Sequence, residues 1–200
     1  MFRHNDYRRL MEVRALDPDA ANPDEMILEG RAIVYDTKTK LFSYGGVDYY
    51  EIIEKGALDE ADTKDAFFKY NHSDTVMVMA RTKNGTLQLD NSSDGVKIKA
   101  KLANITAAKD LYTLVKRGDI DKMSFAFTIR EESYDEKEHT WKVRKIDKLF
   151  DVAAVAMPAY EDTSLYARRL GDVETRREQV EALELARKRA QVELEILKNL

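Results

Sequence analysis

Between residues 25 and 157 apolar and polar side chains repeatedly alternate with a period of two, the spacing of a strand with one buried face. The alternation is cleanest in Val96-Lys97-Ile98-Lys99-Ala100-Lys101-Leu102, where lysines fill every second position. Residues 86–90 precede it, and the turn Asn91-Ser92-Ser93-Asp94-Gly95 between them predicts a hairpin. Residues 26–35 have strand composition, with Gly30 marking a bend or bulge. After a turn at 43–48, residues 49–53 read as the next strand and 56–61 as a short helix. Residues 65–72 form a further strand that places Phe68, Tyr70 and His72 on one face, and 75–80 resume an apolar strand.

The period then changes. Ala107, Leu111, Leu114 and Val115 recur at helical spacing. Asn104 or Thr106 caps this helix, Lys116 and Arg117 suit its last turn, and Gly118 ends it. Residues 119–129 return to a strand, with Met123, Phe125, Phe127 and Ile129 on one face and Ser124, Ala126 and Thr128 on the other. A polar loop at 135–139 leads back through 141–146. Residues 149–157 are almost continuously apolar, the pattern of a strand buried on both faces. From residue 172 onward neither proline nor glycine occurs, which predicts a helix. Val173, Val180, Leu183, Ala190, Leu194 and Leu197 fall at roughly heptad spacing, but Arg176 and Arg187 take expected apolar slots, so any coiled coil is weak. The chain thus divides into a polar leader or arm (1–24), a β-rich body (25–170) and a charged C-terminal helix (171–200).

Composition narrows the chemistry. The net charge of −4 provides no basic footprint for nucleic acid. The absence of cysteine excludes disulfides, thiolate zinc sites and a cysteine nucleophile. The start lacks the apolar run of a signal peptide and no stretch has transmembrane length, so a soluble, intracellular protein without a membrane partner is expected.

Ser124 lies on a face of small residues with bulky anchors behind it, a place for a rigidly held nucleophile. A serine hydroxyl needs a base to take its proton, and the base is best oriented by a third group. Of the three histidines, His4 lies in the leader and His139 in a polar loop. His72 ends a strong strand and is the best-placed base. Asp151 is the least expected acid in a core strand, and a buried carboxylate requires a hydrogen-bonded or cationic partner. A structural salt bridge satisfies that requirement as well as a histidine does. Composition and spacing leave a Ser-His-Asp triad as one arrangement among several.

The chain resembles the prohead maturation proteases of tailed phages. The resemblance runs from about Gly30 to Arg169. Its landmarks, in order, are Glu29-Gly30-Arg31-Ala32, Glu54-Lys55-Gly56-Ala57-Leu58, Asn71-His72-Ser73, Ala80-Arg81-Thr82-Lys83-Asn84-Gly85-Thr86-Leu87, Arg117-Gly118-Asp119, Met123-Ser124-Phe125-Ala126-Phe127, and Pro158-Ala159-Tyr160 before Asp162-Thr163-Ser164. Ala126 stands where glycine is common, and Ala153-Ala154 where Ser-Pro often follows the acid.

The resemblance implies a mainly β, α+β fold like that of the herpesvirus assembly proteases: a closed or nearly closed antiparallel barrel with flanking helices, here with an added C-terminal helix. It implies a serine endopeptidase with Ser124 as nucleophile, His72 as general base and Asp151 as orienting acid. Phe125 and Arg81 are candidates for the oxyanion or substrate contacts. No metal or cofactor is called for. The implied partners are the scaffolding segment of the major capsid protein or a scaffold protein, and the protease itself, by self-cleavage and as a homodimer. The implied setting is the immature capsid in the host cytoplasm. A catalytically silent assembly factor on the same fold is the alternative.

Overall fold

The computed structural model describes residues 12–18, 24–156 and 164–198, the last segment with side chains over 171–191. His4, much of the leader and the Pro158-Ala159-Tyr160 landmark lie outside the described residues. The chain forms two compact units, Met1–Ala159 and Tyr160–Leu200.

In the first unit the strands are β1 (Val13–Leu16), β2 (Ile27–Val34), β3 (Thr39–Tyr44), β4 (Val47–Ile53), β5 (Phe67–Tyr70), β6 (Ala80–Arg81), β7 (Leu87–Ser92), β8 (Gly95–Lys101), β9 (Lys122–Asp135) and β10 (Thr140–Val155). Helix α1 (Thr106–Arg117) separates β8 from β9. It buries Ala108, Leu111, Tyr112 and Val115 and ends at Gly118, whose left-handed backbone (φ 83°) lets its N–H cap the Leu114 and Val115 carbonyls. The second unit is the helix α2 (Ser164–Lys198), which exposes Val180, Leu183 and Leu185 to solvent.

The strands make two open sheets, not the closed barrel that the resemblance implies, although the α+β, mainly β class holds. One is antiparallel with the order β1-β2-β8-β7; the other has the order β3-β4-β10-β5-β6, with β9 on β10. The reason lies in β10. Along one side it pairs with β9, antiparallel; along the other it takes two parallel partners in succession, β4 at Thr140–Val143 and β5 at Asp151–Ala154. Among the described residues no ladder joins the two sheets. β1 and β9 approach each other only near an isolated bridge, Glu12 with Lys122, and a Val13 N–H to Asp121 carbonyl bond of 3.2 Å.

Several local expectations change for physical reasons. The leader contributes β1, which pairs with β2. Residues 55–60 form successive tight turns and no helix, with Ala57, Asp59 and Ala61 N–H groups each bonding three residues back. The apolar stretch 75–80 reaches a strand only at Ala80. Before it, Thr75 hydrogen-bonds locally to Ser73, which competes with strand pairing, and Met77 and Val78 stay exposed. Residues 140–155 are one strand, not two.

Behind the central strands lies the core. Phe68 of β5, Met123 of β9 and Leu149 and Val152 of β10 are nearly inaccessible to solvent. Burying side chains of this size stabilises the fold by about 1.5–3 kcal/mol each. They anchor the strands that carry the candidate site on their opposite face.

Candidate active site

Near the start of β9, Ser124 pairs with Ala153 of β10, and Ala153 pairs in turn with Lys69 of β5. The neighbouring row runs Ala126, Asp151, Phe67, Arg81 across β9, β10, β5 and β6. Directly paired residues project from the same side of a sheet. Ser124, Asp151, Lys69 and Arg81 therefore share one face, and Met123, Phe125, Val152, Ala154 and Phe68 share the other. Ser124 and Asp151 are diagonal neighbours on adjacent strands, a relation that spans about 7–8 Å.

Asp151 reaches this face through a bulge. Leu149 pairs with Phe127 on the core side, yet Asp151 pairs with Ala126, the very next residue of β9, so Phe150 is left over. Strict alternation from Leu149 would send Asp151 into the core. The bulge sends it to the Ser124 face and returns Val152 to the core. Re-aiming a side chain in this way is a recognised use of bulges.

His72 arrives by a different device. β5 ends at Tyr70, and Asn71 and His72 both adopt left-handed backbone, with φ 48° and 54°. Asn71 N–H still bonds the Ala154 carbonyl at 3.0 Å, Asn71 Oδ1 accepts Ala156 N–H at 3.1 Å, and Ser73 N–H closes the turn on Tyr70. Strand alternation stops there. The imidazole does not continue the Phe68–Tyr70 face; it swings onto the opposite one. There His72 Nδ1 lies 2.5 Å from Asp151 Oδ1. With the carboxylate ionised, Nδ1–H is the donor, which leaves the Nε2 lone pair free to take a proton. Left-handed backbone at histidine is uncommon, and such conformations persist where surrounding bonds fix them.

The Asp151 side chain is 8% exposed, and each of its oxygens faces a cationic or donor group. Oδ1 takes His72; Oδ2 lies 3.7 Å from Lys69 Nζ. Lys69 also bonds Asp74 Oδ1 at 2.6 Å, and this holds the Asp74 carboxyl below the usual carboxylate range. Lys69 is the site residue that the sequence reading missed. Its signal was present: it is the only charged residue in Ala66-Phe67-Phe68-Lys69-Tyr70, three positions before His72.

The remaining candidates stand apart. Arg81 shares the face, but its guanidinium forms a two-pronged bond with Asp65, through Nε to Oδ1 and through Nη2 to Oδ2 at 2.7 Å, and lies 4.8 Å over the Phe67 ring. That hydrogen bond and charge lower the Asp65 carboxyl and raise the arginine. The Phe125 side chain stacks on Phe127 at 5.0 Å and packs against the core, so only its backbone belongs to the Ser124 region. His139 sits in the β9–β10 turn against Tyr49 and Tyr134. Among the described residues no hydrogen bond reaches Ser124 Oγ; strand register places it on the same face as the His72–Asp151 pair. A groove of about 640 Å³ opens elsewhere, on β1, β2, β7 and β8, and includes none of these residues.

A family model described as caudovirus prohead serine protease matches residues 10–177. No curated protein and no solved structure matches the chain.

Proposed function

The chain belongs to the caudovirus prohead serine proteases, a serine peptidase family of the phage capsid, and from that membership we propose that Ser124, His72 and Asp151 form its catalytic triad. The observation that carries the proposal is the 2.5 Å contact from His72 Nδ1 to Asp151 on the face that Ser124 shares. His72 Nε2 takes the Ser124 Oγ proton as the oxygen attacks a peptide carbonyl carbon. Asp151 holds the ring in the required tautomer and stabilises the imidazolium. The imidazolium then protonates the leaving amine, the C–N bond breaks and an acyl-serine ester remains. Water attacks that ester as His72 removes its proton; the C–Oγ bond then breaks, the imidazolium returns the proton to Ser124 Oγ, and the acid product leaves. Backbone N–H groups beside Ser124, Phe125 among them, supply the oxyanion contacts.

The substrates are the scaffolding segment of the capsid protein or a separate scaffold protein inside the immature shell, and the chain itself. Intact mass of wild type and Ser124→Ala, each incubated alone and co-assembled with capsid precursor, tests this. Discrete trimming that vanishes in Ser124→Ala is expected. Identical masses and untouched precursor, even inside assembled shells, would leave a silent assembly factor as the reading.

A further inference from the structure

We propose that Lys69 is a positioning residue of this site: its ammonium, tethered outward by Asp74, shares the Asp151 carboxylate with His72 and so sets how strongly that carboxylate supports the imidazole. The inference rests on the triad reading above.

Lys69 is two strands from Ser124 in the same cross-strand row, with only Ala153 between them. Its side chain is 15% exposed, although long cationic side chains on a sheet face usually extend into water. Here the ammonium lies between two carboxylates of opposite character. Asp151 is buried; Asp74 is 90% exposed. The exposed partner holds it more closely, at 2.6 Å against 3.7 Å. Asp151 thus keeps most of its charge for His72 while its second oxygen still faces a cation.

Other cations of this face have carboxylate partners of their own: Lys148 of β10 lies 3.8 Å from Asp62, and Lys122 of β9 pairs with Asp121. β9 contributes only Ala126 and Ser124 opposite this part of β10, and β6 contributes Arg81, which is occupied by Asp65. Among the described residues Lys69 is therefore the cation that competes with a protonated His72 for Asp151. Drawing it closer weakens support for the imidazolium; removing it strengthens that support. The Asp74 tether sets the balance between these limits.

The test is titration of the His72 ring by NMR in the full chain, in a Ser124→Ala background, with Lys69→Met, Lys69→Arg and Asp74→Asn. The titration midpoint of His72 is expected to rise by about 0.5–1 pH unit in Lys69→Met, to fall in Asp74→Asn and to stay near wild type in Lys69→Arg. The acid limb of the kcat/KM profile, measured with Ser124 restored, should follow the same order. Midpoints that do not move, or that move in the same direction in Lys69→Met and Asp74→Asn, overturn the inference. If Lys69→Met does not fold, the exposed Asp74→Asn change decides by its sign. Ordered shifts without any peptidase activity would overturn the triad reading and leave the electrostatic role intact; activity with unmoved midpoints would do the reverse.

Discussion

Asp151 and Ser124 face the same side of the β9–β10 ladder because β10 spends an extra residue, Phe150, between Leu149 and Asp151. Without that bulge the alternation leading from Leu149 would send the carboxylate to the core face, where Phe68 and Met123 lie, and Val152 out of it. With it, the acid is 8% exposed, bonded to His72 and diagonal to the serine. The proposed site is thus assembled by two local departures from strand geometry, the bulge in β10 and the left-handed pair after β5, beside the regular first half of β9.

Removing the charge at Asp151 should separate orientation from folding. Asp151→Asn keeps the side-chain volume but presents an amide to His72 Nδ1, which permits the wrong tautomer. The expected result is a loss of about 10³–10⁴-fold in kcat, the scale seen when the orienting acid of such a triad is changed. Circular dichroism should show the native strand content. A loss below tenfold would mean that Asp151 does not orient the base.

The left-handed turn makes a second prediction. Asn71→Gly tolerates φ 48° but removes the Oδ1 acceptor of Ala156 N–H; Asn71→Val also brings a β-branched side chain to a conformation it strongly disfavours. Activity is expected to fall in the order wild type, Gly, Val, with Asn71→Val losing at least tenfold while its NMR spectrum stays dispersed. Equal activity in all three would show that this backbone does not set the position of His72.

Much of the fold was legible because β8 and the first half of β9, up to Ile129, keep strict alternation. β10 was not. Its core residues Val143, Ile146, Leu149 and Val152 recur every third position because Arg144, Asp147 and Phe150 are absorbed as irregularities against β9. A period of two cannot describe such a strand, and its N-terminal and C-terminal parts therefore read as separate elements. Composition and spacing left Ser124, His72 and Asp151 as one arrangement among several, with their roles implied by the resemblance, and alternation assigned His72 to the wrong face, since nothing in Tyr70-Asn71-His72 beyond the asparagine signals a left-handed turn. The open sheets were also hidden: which strands lie beside β10 is a property of its full length, and the parallel pairings with β4 and β5 join segments distant in sequence.

Arg81 offers a prediction about acid stability. Its hydrogen bond and charge hold the folded Asp65 carboxyl below the usual range. A lowered folded value means that the pair stabilises the fold above the ordinary carboxylate value and ceases to do so as pH falls through the lowered one. The Tm difference between wild type and Arg81→Gln should accordingly be present at neutral pH and close as the pH falls below the ordinary carboxylate value of about 4. A structural arginine also predicts kcat within a few-fold of wild type, whereas loss of an oxyanion donor costs about 10²–10³-fold. A drop of that size would return Arg81 to the catalytic apparatus.

Gly30 ties the strand that carries Ser124 to the second sheet. It lies on β2 opposite Val13 and Ile98, and a Cβ there would overlap both the Glu12 carbonyl oxygen and the Met123 sulfur. The carbonyl cannot retreat freely, because it accepts the Arg31 N–H at 2.9 Å. Met123 cannot either, since it is 1% exposed and adjoins Ser124 in β9. Gly30→Ala must therefore push β1 outward or displace Met123, and overpacking of this kind costs about 1–3 kcal/mol. Denaturant unfolding should show that loss. Activity measured well below the unfolding midpoint should fall further than the unfolded fraction accounts for, because the displaced side chain immediately precedes Ser124, the proposed nucleophile. Gly171→Ala in α2, where a Cβ meets nothing within 4 Å, should instead hold or raise stability, as alanine does in a helix interior. If Gly30→Ala lowers stability yet leaves the folded fraction fully active, Met123 does not transmit the strain to Ser124, and the glycine serves packing alone.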